Sequence, residues 1–505
     1  MSETASTSLP DPAITDQGAP VRDFTLRSAF ALAFSDVSPI VGIYSVLAIS
    51  LIAAGPIFFW AFPIVLAGQL LVTGVFGELV SKWPFQGSVY AWARELIGPR
   101  YGWFTGWAYM WGLTLVLSAL SLAAAQFLLG AFGATAPSYA TTVLTALAVL
   151  IFGSAANMIG SQLLKTLLYI SMTCELIASL GIGIALLFFH RTHSFSVLFT
   201  SAGTGHGPHW LFSSFFGVVA FIGFSFLGFE SAGSIAEEVQ ESRRVLPKAI
   251  TLSLLAAGIL VMFASLGIVL SVPDIAAVVS GHDANPIATT LETRLGSATG
   301  KVLLIMLTVG FTASLIGVQA AVTRAIWASA RDRVLPGSTW LRKLSGREHL
   351  PRYAIGLTAI IAGALLFISS SKIYALLLSF GNAGFYISYA LPILGAAYLR
   401  WRGRWTPGEF TMGRWSTPAT YVAAVWITLE AINIAWPRPL YGVWYLNWGL
   451  LIMTGALGVI GVVVSARVFR PGGPGHPGSA GSAGSGGSAG SAGSPGPLVA
   501  GEGGA

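Results

Sequence analysis

Apolar residues are arranged along this chain in long runs that short polar stretches separate. The runs reach about 20 residues, the length that a helix needs to cross a bilayer, whereas barrel strands need only about 10. The pattern therefore predicts an all-α integral membrane protein with about twelve transmembrane helices. The predicted spans are residues 28–53, 56–81, 102–129, 138–160, 165–189, 211–237, 247–271, 299–326, 353–370, 373–399, 417–436 and 445–468.

Basic residues divide unequally between the two sides of these spans. If the N-terminus is cytoplasmic, only five of the 27 Lys and Arg residues fall on the outer side. These five are Arg191, Arg294, Lys301, Lys372 and Arg438. An excess of cytoplasmic basic residues is typical of membrane proteins in their native orientation. We therefore expect an even number of spans, with both termini in the cytoplasm, in a multi-pass protein of the cell (plasma or inner) membrane.

Composition agrees with this class and excludes several others. Only 9% of the residues are charged, against about 25% in a soluble domain. The net charge of +7 is spread among short loops, so we expect the bilayer rather than nucleic acid as the partner. A single cysteine, Cys174, excludes an intramolecular disulfide and a Cys-based metal site. The sequence carries no catalytic triad, phosphate loop or dinucleotide fingerprint, so we expect no enzyme activity, no cofactor and no metal.

The ends of the chain differ from the membrane region between them. Residues 1–21 are polar and lack the basic-then-apolar order of a signal peptide, and we expect a disordered cytoplasmic tail. Residues 471–505 are a Gly/Ser/Ala/Pro repeat that cannot form a core, so we expect a second disordered tail. The transmembrane domain is therefore expected to extend over residues 22–470.

The sixth predicted span carries a carboxylate at membrane depth. Glu230 lies in the sequence Gly228-Phe229-Glu230-Ser231-Ala232-Gly233, within an apolar run that begins near Leu211. An acid at that depth costs about 2.5–3.5 kcal/mol on insertion scales, and the two glycines and the serine weaken the helix. Transporter helices break at mid-membrane to expose backbone groups. The segment therefore predicts a break and a binding site at residues 228–233.

The first predicted span has a similar weak point. Pro39 interrupts the hydrogen-bond ladder beside Asp36, and Gly42 weakens the next turn. The two interrupted spans are five spans apart, which is the signature of two inverted five-helix repeats with a site at their interface. We expect the substrate to lie between the breaks at about 38–43 and 228–233.

Three motifs then point to one family. Gly228-Phe229-Glu230-Ser231-Ala232 with Ala236-Glu237-Glu238-Val239 resembles the sixth-helix signature of the amino acid–polyamine–organocation superfamily of permeases. Gly77-Glu78-Leu79 with Gly87-Ser88 is similar to that family's loop between the second and third helices. Arg324 with Ala330-Arg331-Asp332 resembles the end of its eighth helix.

The resemblance covers roughly residues 22–470 and implies the leucine-transporter-like fold, a 5+5 inverted repeat with broken helices 1 and 6. Repeat one would extend over about 28–189, repeat two over about 211–399, and two peripheral helices over about 417–468. In the first helix, Ile40-Val41-Gly42 stands where many relatives have Gly-Ser/Thr-Gly, so only the last glycine matches. We expect free backbone donors at Val41, Gly42 and Ile43.

These observations predict which residues bind the substrate and which carry protons. The expected substrate-binding residues are Asp36, Ser38, Val41, Gly42, Ile43, Tyr109, Phe226, Gly228, Phe229, Glu230 and Ser231. Glu230 and Glu175 are the proton-coupling candidates, because a buried carboxyl can take up and release a proton. Asp36 is expected to face the amino group.

Other chemically notable residues are interpreted as structural. Glu78, Glu237 and Glu238 are expected to form ion pairs at cytoplasmic helix ends, and Glu430 lies outside the expected core. Trp111 is a second aromatic candidate, with Tyr109, for covering the substrate. The structural alternatives stay open for each acid: Asp36 or Glu230 bonded to a neighbouring helix, and Glu175 packed and permanently protonated.

We therefore predict a secondary-active transporter of an amino acid or related amine that works by alternating access with a proton as the coupling ion. Amine or polyamine exchange and sodium coupling are the alternatives, followed by a substrate-sensing receptor on the same scaffold. A major-facilitator permease would lack breaks five spans apart, and a channel would conduct far faster than a carrier.

Overall fold

The computed structural model describes residues 22–134, 137–283, 285–346, 349–368, 371–438 and 444–470, without the side chains of 371–378 and 445–446. The predicted tails at 1–21 and 471–505 lie outside the described residues, as does the side chain of Lys372.

The described chain is helical, and its α-helices are numbered here in chain order. They are α1 (Leu26–Val37), α2 (Pro39–Tyr44), α3 (Leu47–Ala54), α4 (Ala61–Lys82), α5 (Val89–Ile97), α6 (Pro99–Ala131), α7 (Tyr139–Ile159), α8 (Ser161–Ile184), α9 (Gly207–Trp210), α10 (Phe216–Ile222), α11 (Ser231–Ser234), α12 (Ser242–Ser271), α13 (Ile275–Val279), α14 (Pro286–Leu295), α15 (Ser297–Arg331), α16 (Ser338–Leu341), α17 (Arg352–Leu366), α18 (Ser371–Trp401), α19 (Ser416–Ala435), α20 (Trp444–Asn447) and α21 (Gly449–Val468). Short 3₁₀ segments lie at Pro56–Trp60, Phe195–Phe199, Gly223–Phe226, Ala236–Glu238 and Gly413–Trp415, and π-helical turns at Ala185–Phe189 and Leu211–Phe215.

Ten helical segments of the described residues are long and apolar enough to cross a membrane. They correspond to ten of the predicted spans. The two other predicted spans match α17, an apolar helix of 15 residues, and α18, a helix of 31 residues. The all-helical membrane class is therefore confirmed, while the count of twelve, the inverted repeat and the orientation of the termini stay predictions.

The first span is interrupted at Ser38, which has φ = 44° and separates α1 from α2. Pro39 is the first residue of α2, where its missing N–H costs nothing. A second interruption at Ser45 and Val46 separates α2 from α3. The predicted span is thus built from three short helices, and the proline begins a helix rather than kinking one.

The sixth span is interrupted between Phe226 and Ser231. Leu227 is extended, with φ = −109° and ψ = 167°, and Gly228 has φ = 97°. A positive φ of this size is readily available only to glycine. The break therefore lies slightly before the predicted range of 228–233, because Ser231–Ser234 forms the short helix α11.

Contacts between helix ends define one end of the bundle, here called the inner end. It holds the starts of α1, α8 and α12 and the final turns of α4, α15 and α18. Phe24 is fully buried there and pairs with the segment after α11: its N–H donates to Glu238 O at 2.9 Å, and Gln240 N donates to Phe24 O at 2.9 Å. The inner end is the end that the charge distribution predicts to be cytoplasmic.

Candidate functional site

Glu230 lies in the sixth-span break and is fully buried. The hydroxyl of Tyr109, on α6, donates to Glu230 Oε1 at 2.7 Å, and the hydroxyl of Tyr389, on α18, donates to Oε2. Tyr389 Oη also accepts a hydrogen bond from Gly228 N at 3.2 Å. Tyr109 was predicted as a site residue, and the structure brings it directly to the predicted acid.

Asp36 lies at the end of α1, opposite Gly228. A Cβ placed on Gly228 would lie 3.0 Å from Asp36 Cγ, so the two breaks are in contact at this point. Asp36 is 6% exposed, and among the described residues neither carboxylate oxygen makes a hydrogen bond of normal geometry, although the Ser231 hydroxyl is near enough to act on it. Glu230 is close enough to act electrostatically on it. A buried carboxylate without a partner is costly, so this position is chemically incomplete.

Glu175, on α8, reaches the first break instead of the second. It is fully buried, and it accepts hydrogen bonds from Ser38 Oγ at 2.8 Å and from Ser171 Oγ at 2.9 Å. Ser38 is the residue at which α1 ends and α2 begins. The third predicted acid therefore supports the backbone of the first break through a serine hydroxyl.

The amides at the start of α2 have protein partners. Val41 N donates to Ser38 Oγ at 3.2 Å, and Gly42 N donates to Ser38 O at 2.9 Å. We expected free donors at these positions. Ser38 satisfies both: its side chain folds over the first turn of α2 as a helix cap for Val41 N, and its carbonyl oxygen accepts from Gly42 N. Gly42 also meets the other break, since Ser225 Oγ donates to Gly42 O at 2.7 Å.

Aromatic rings surround the second break. Phe229 packs against Phe76 and Tyr389, with ring centroids 6.0 Å and 5.3 Å apart, and Phe226 packs edge-on against Phe62 at 6.1 Å. Phe226 and Phe229 are both fully buried. Ser231 is also buried, and its hydroxyl has no hydrogen-bond partner among the described residues.

Trp111 lies on another face of α6. Its ring contacts Trp107, with centroids 5.8 Å apart, and Trp107 Nε1 in turn donates to Leu457 O on α21. The structure thus separates Trp111 from Glu230 and pairs only Tyr109 with the acid. Ile43 is buried in α2 close to the first break.

The inner end closes over this site with ion pairs. Arg324 binds Glu238 through Nε at 3.0 Å, and Arg331 binds Glu237 at 3.0 Å. Arg400 binds Glu78. Glu78, Glu237 and Glu238 therefore have the arginine partners that we predicted for them. With Asp36 and Glu230 both buried, the site is closed to solvent on both sides in this structure.

Sequence reasoning missed Tyr389, which holds Glu230, and Ser171, which holds Glu175. A signal for the first was present. Tyr386 and Tyr389 are three residues apart in an apolar helix and share one face, and buried tyrosines need partners for their hydroxyl groups. For Ser171 the signal was the spacing of four residues to Glu175.

The chain was compared with known families and proteins. A family model described as "Amino acid permease" matches residues 24–457. An uncharacterized amino-acid permease of Schizosaccharomyces pombe is 26% identical over 483 residues, covering 88% of this chain and 82% of the relative. The amino-acid permease BAT1 of Arabidopsis thaliana is 25% identical, with 82% and 86% covered. The branched-chain amino acid permease BcaP of Lactococcus lactis is 25% identical, with 81% and 86% covered.

Proposed function

Because the chain belongs to the amino acid permease family, we propose that it is a proton-coupled, secondary-active transporter that moves an amino acid or related amine across the cell membrane by alternating access. The substrate lies between the two breaks. Its ammonium group faces Asp36 and Glu230, and the inner and outer halves of the bundle open alternately around it.

The observation that carries this proposal is the buried carboxylate of Asp36, which has no cationic partner among the described residues. Two buried acids, Asp36 and Glu230, face the same break, and among the described residues neither forms an ion pair with Lys, Arg or His. Uncompensated buried charge is removed by protonation or by a cation. An ammonium group supplies that cation together with three hydrogen-bond donors.

Proton coupling is supported by how Glu230 is held. Both hydroxyl donors, from Tyr109 and Tyr389, stabilise the ionised carboxylate. A proton on Glu230 removes the charge that these donors bind, so proton and ammonium binding depend on each other. Glu175 is a second proton-carrying candidate that contacts only the first break.

The first experiment is counterflow and proton-driven uptake in proteoliposomes for the variants Asp36→Asn and Glu230→Gln. We expect Asp36→Asn to weaken substrate binding by about tenfold or more, corresponding to one lost charge-assisted hydrogen bond. We expect Glu230→Gln to abolish the response to a pH gradient. Glu292→Gln, a change of an exposed glutamate in α14, is the matched control. Unchanged affinity in Asp36→Asn together with unchanged pH-driven uptake in Glu230→Gln would contradict the proposal.

A simple amine is the second candidate substrate. The amides of Val41 and Gly42, which would receive a substrate carboxylate, already donate to Ser38. Matched pairs of an amino acid and its decarboxylated amine distinguish the two in counterflow. Preference for the amine would favour this candidate.

A gradient of sodium at constant pH tests the sodium-coupled alternative.

A further inference from the structure

A second group of polar side chains, buried or partly buried, lies around Glu430, at the side of the break opposite the inner end. This outer cluster consists of Gln69 on α4, Tyr386 on α18, Glu430 and Asn433 on α19, and Arg438 after α19. Glu430 is only 4% exposed and Gln69 and Tyr386 are fully buried. The transport proposal above assigns none of these residues a role.

Glu430 interacts with two polar residues near the C-terminal end of α19, Asn433 and Arg438. Asn433 Nδ2 lies 3.4 Å from Glu430 Oε1 and 3.3 Å from Oε2. Arg438 is within electrostatic range of Glu430, and its guanidinium group donates to Asn433 O at 2.7 Å and to Asn433 Oδ1. Asn433 therefore lies between the acid and the guanidinium group and binds both.

The outer cluster holds α10, the outer half of the broken sixth span, at both of its ends. At the start of α10, Asn433 Nδ2 donates to Phe216 O at 2.9 Å, and a Cβ on Gly217 would lie 3.1 Å from Arg438 Nε. Just after its end, a Cβ on Gly223 would lie 2.7 Å from Tyr386 Oη. Any movement of α10 must change these contacts.

The hydrogen bonds of the outer cluster are incomplete. Gln69 Nε2 donates to Tyr386 Oη at 2.7 Å, which leaves the tyrosine hydrogen available to an acceptor. The charge of Glu430 acts electrostatically on the Tyr386 hydroxyl group. In the described part of the chain, Gln69 Oε1 and Arg438 Nε are buried without a partner. Such a network can rearrange when its acid changes charge, because it still has unused donors and acceptors.

We propose that Glu430 is an outer proton-binding residue that sets how firmly α10 is held. The proposal rests on the proton-coupled function above. The titratable and charged groups facing Glu430 are Tyr386 from α18 and Arg438 beyond α19, while Gln69 from α4 is neutral and α10 carries no titratable side chain.

The step is a proton transfer from the outer solution to the Glu430 carboxylate. The neutral acid no longer attracts Arg438, and the Asn433 side chain that both groups orient is free to release Phe216 O. The outer half of the sixth span then moves while the inner end, with its own ion pairs, stays closed. Glu430 acts as a positioning residue, since Asn433 connects it to Phe216 O at the start of α10, and its charge acts on Tyr386, which lies against Gly223.

The test measures uptake in proteoliposomes at fixed inner pH while the outer pH is varied from about 5.5 to about 7.5. For Glu430→Gln, which fixes the neutral form, we expect the dependence of uptake on outer pH to shrink by about half or more, while the part driven through Glu230 remains. Counterflow at a single pH should stay within about threefold of the parent protein, because substrate contacts are intact. Glu292→Gln is the matched control and should keep the parent profile.

A second variant keeps the test decisive if Glu430→Gln does not fold. Tyr386→Phe removes the hydroxyl group that accepts from Gln69, lies against Gly223 and is within electrostatic range of Glu430, and it should shift the midpoint of the outer-pH profile. A parent-like profile in either folded variant would overturn the assignment of Glu430 while leaving proton-coupled transport standing. A parent protein whose uptake ignores outer pH but which still performs counterflow would overturn proton coupling itself, and the role of Glu430 with it.

Discussion

The two ends of the bundle are held together by different chemistry. Every ion pair found among the described residues lies at the inner end, where arginines and a lysine bind acids that, except for Glu95, come from other segments. The pairs are Arg94–Glu95, Arg94–Asp332, Lys165–Asp23, Arg244–Glu409, Arg324–Glu238, Arg331–Glu237 and Arg400–Glu78.

At the outer end, arginine and histidine side chains bind neutral carbonyl and amide groups, and Arg438 also has the acid Glu430 within electrostatic range. Arg294 Nε donates to Ser271 O at 3.1 Å, and His193 Nε2 lies 2.8 Å from Val272 O, so both residues cap the end of α12. Arg438 binds Asn433.

The difference shows which movement is more costly. Opening the inner end separates buried charges, and a broken buried ion pair costs about 3–5 kcal/mol. Opening the outer end breaks hydrogen bonds from charged donors such as Arg294 to neutral acceptors, each with a net value of about 1.5–3 kcal/mol. We therefore expect the closed structure to open outward more readily than inward unless a ligand compensates the inner charges.

The largest predicted effect is at the inner end. In the Arg324–Glu238 pair the two side chains are 2% and 11% exposed. Arg324→Ala leaves Glu238 without its cation and should lower the free energy of unfolding by about 3–5 kcal/mol. The measurement is thermal unfolding of the purified protein. The control is Arg244→Ala, because that pair is 76% and 44% exposed and should contribute about 0–1 kcal/mol. Equal losses of stability in Arg324→Ala and Arg244→Ala would contradict the expected difference between a buried and an exposed ion pair.

The matching experiment at the outer end is Arg294→Met. The change removes a charged donor from Ser271 O and from Thr192 Oγ1, which lies 3.3 Å from Nη2. We expect a loss of at most about 1.5–3 kcal/mol, the value of a hydrogen bond to a charged group. The control is Lys301→Met, which changes an exposed cation near the start of α15. A loss larger than that of Arg324→Ala would reverse the order of the two ends.

Gly228→Ala tests the break that lies between the ends. With φ = 97° and a Cβ only 3.0 Å from Asp36 Cγ, alanine introduces strain of about 1–3 kcal/mol. We expect reduced counterflow together with lower thermal stability. Gly455→Ala, in α21 with no atom near the new Cβ, should be neutral or slightly stabilising. Full activity of Gly228→Ala would show that the break tolerates another conformation.

The smallest effect concerns Asp23 and the pH dependence of the inner end. Its hydrogen bond to Lys165 Nζ lowers the pKa of the Asp23 carboxyl, so the contact stabilises the fold above the ordinary aspartate range near pH 4 and is lost as pH falls through the lowered pKa. The side chain is 49% exposed, which limits the contribution to about 0–1 kcal/mol. Asp23→Asn should remove this part of the loss of thermal stability at low pH. If the stability of the variant falls at low pH as that of the parent protein does, the Asp23–Lys165 contact is not the cause.

The fold class could be predicted from the sequence because it depends on the length and spacing of apolar runs. The breaks at Ser38 and Gly228 were also predictable, since proline and glycine act locally. The partners of the acids were not. Glu230 meets Tyr389, and Glu175 meets Ser38, across sequence separations of 159 and 137 residues. Such pairings depend on how helices rotate against each other, which no local pattern specifies.

The same limit explains the amides of α2. The sequence indicated a weak helix there, and weak helices expose donors. It did not indicate that Ser38 would take up φ = 44° and fold its hydroxyl over Val41 N. Whether a donor such as Val41 N is free depends on the rotation of one side chain. A sequence pattern does not specify that rotation.

The hydroxyl of Ser38 has one hydrogen, and this hydrogen points to Glu175. With one lone pair facing Val41 N and its hydrogen on Glu175, Ser38 has no donor left for a ligand while Glu175 is ionised. If Glu175 gains a proton, the acid becomes the donor, and the hydrogen of Ser38 is free to turn toward the space between the breaks. The direction of one hydrogen bond would then change the donors available between the two breaks according to the charge of Glu175, which lies outside that space.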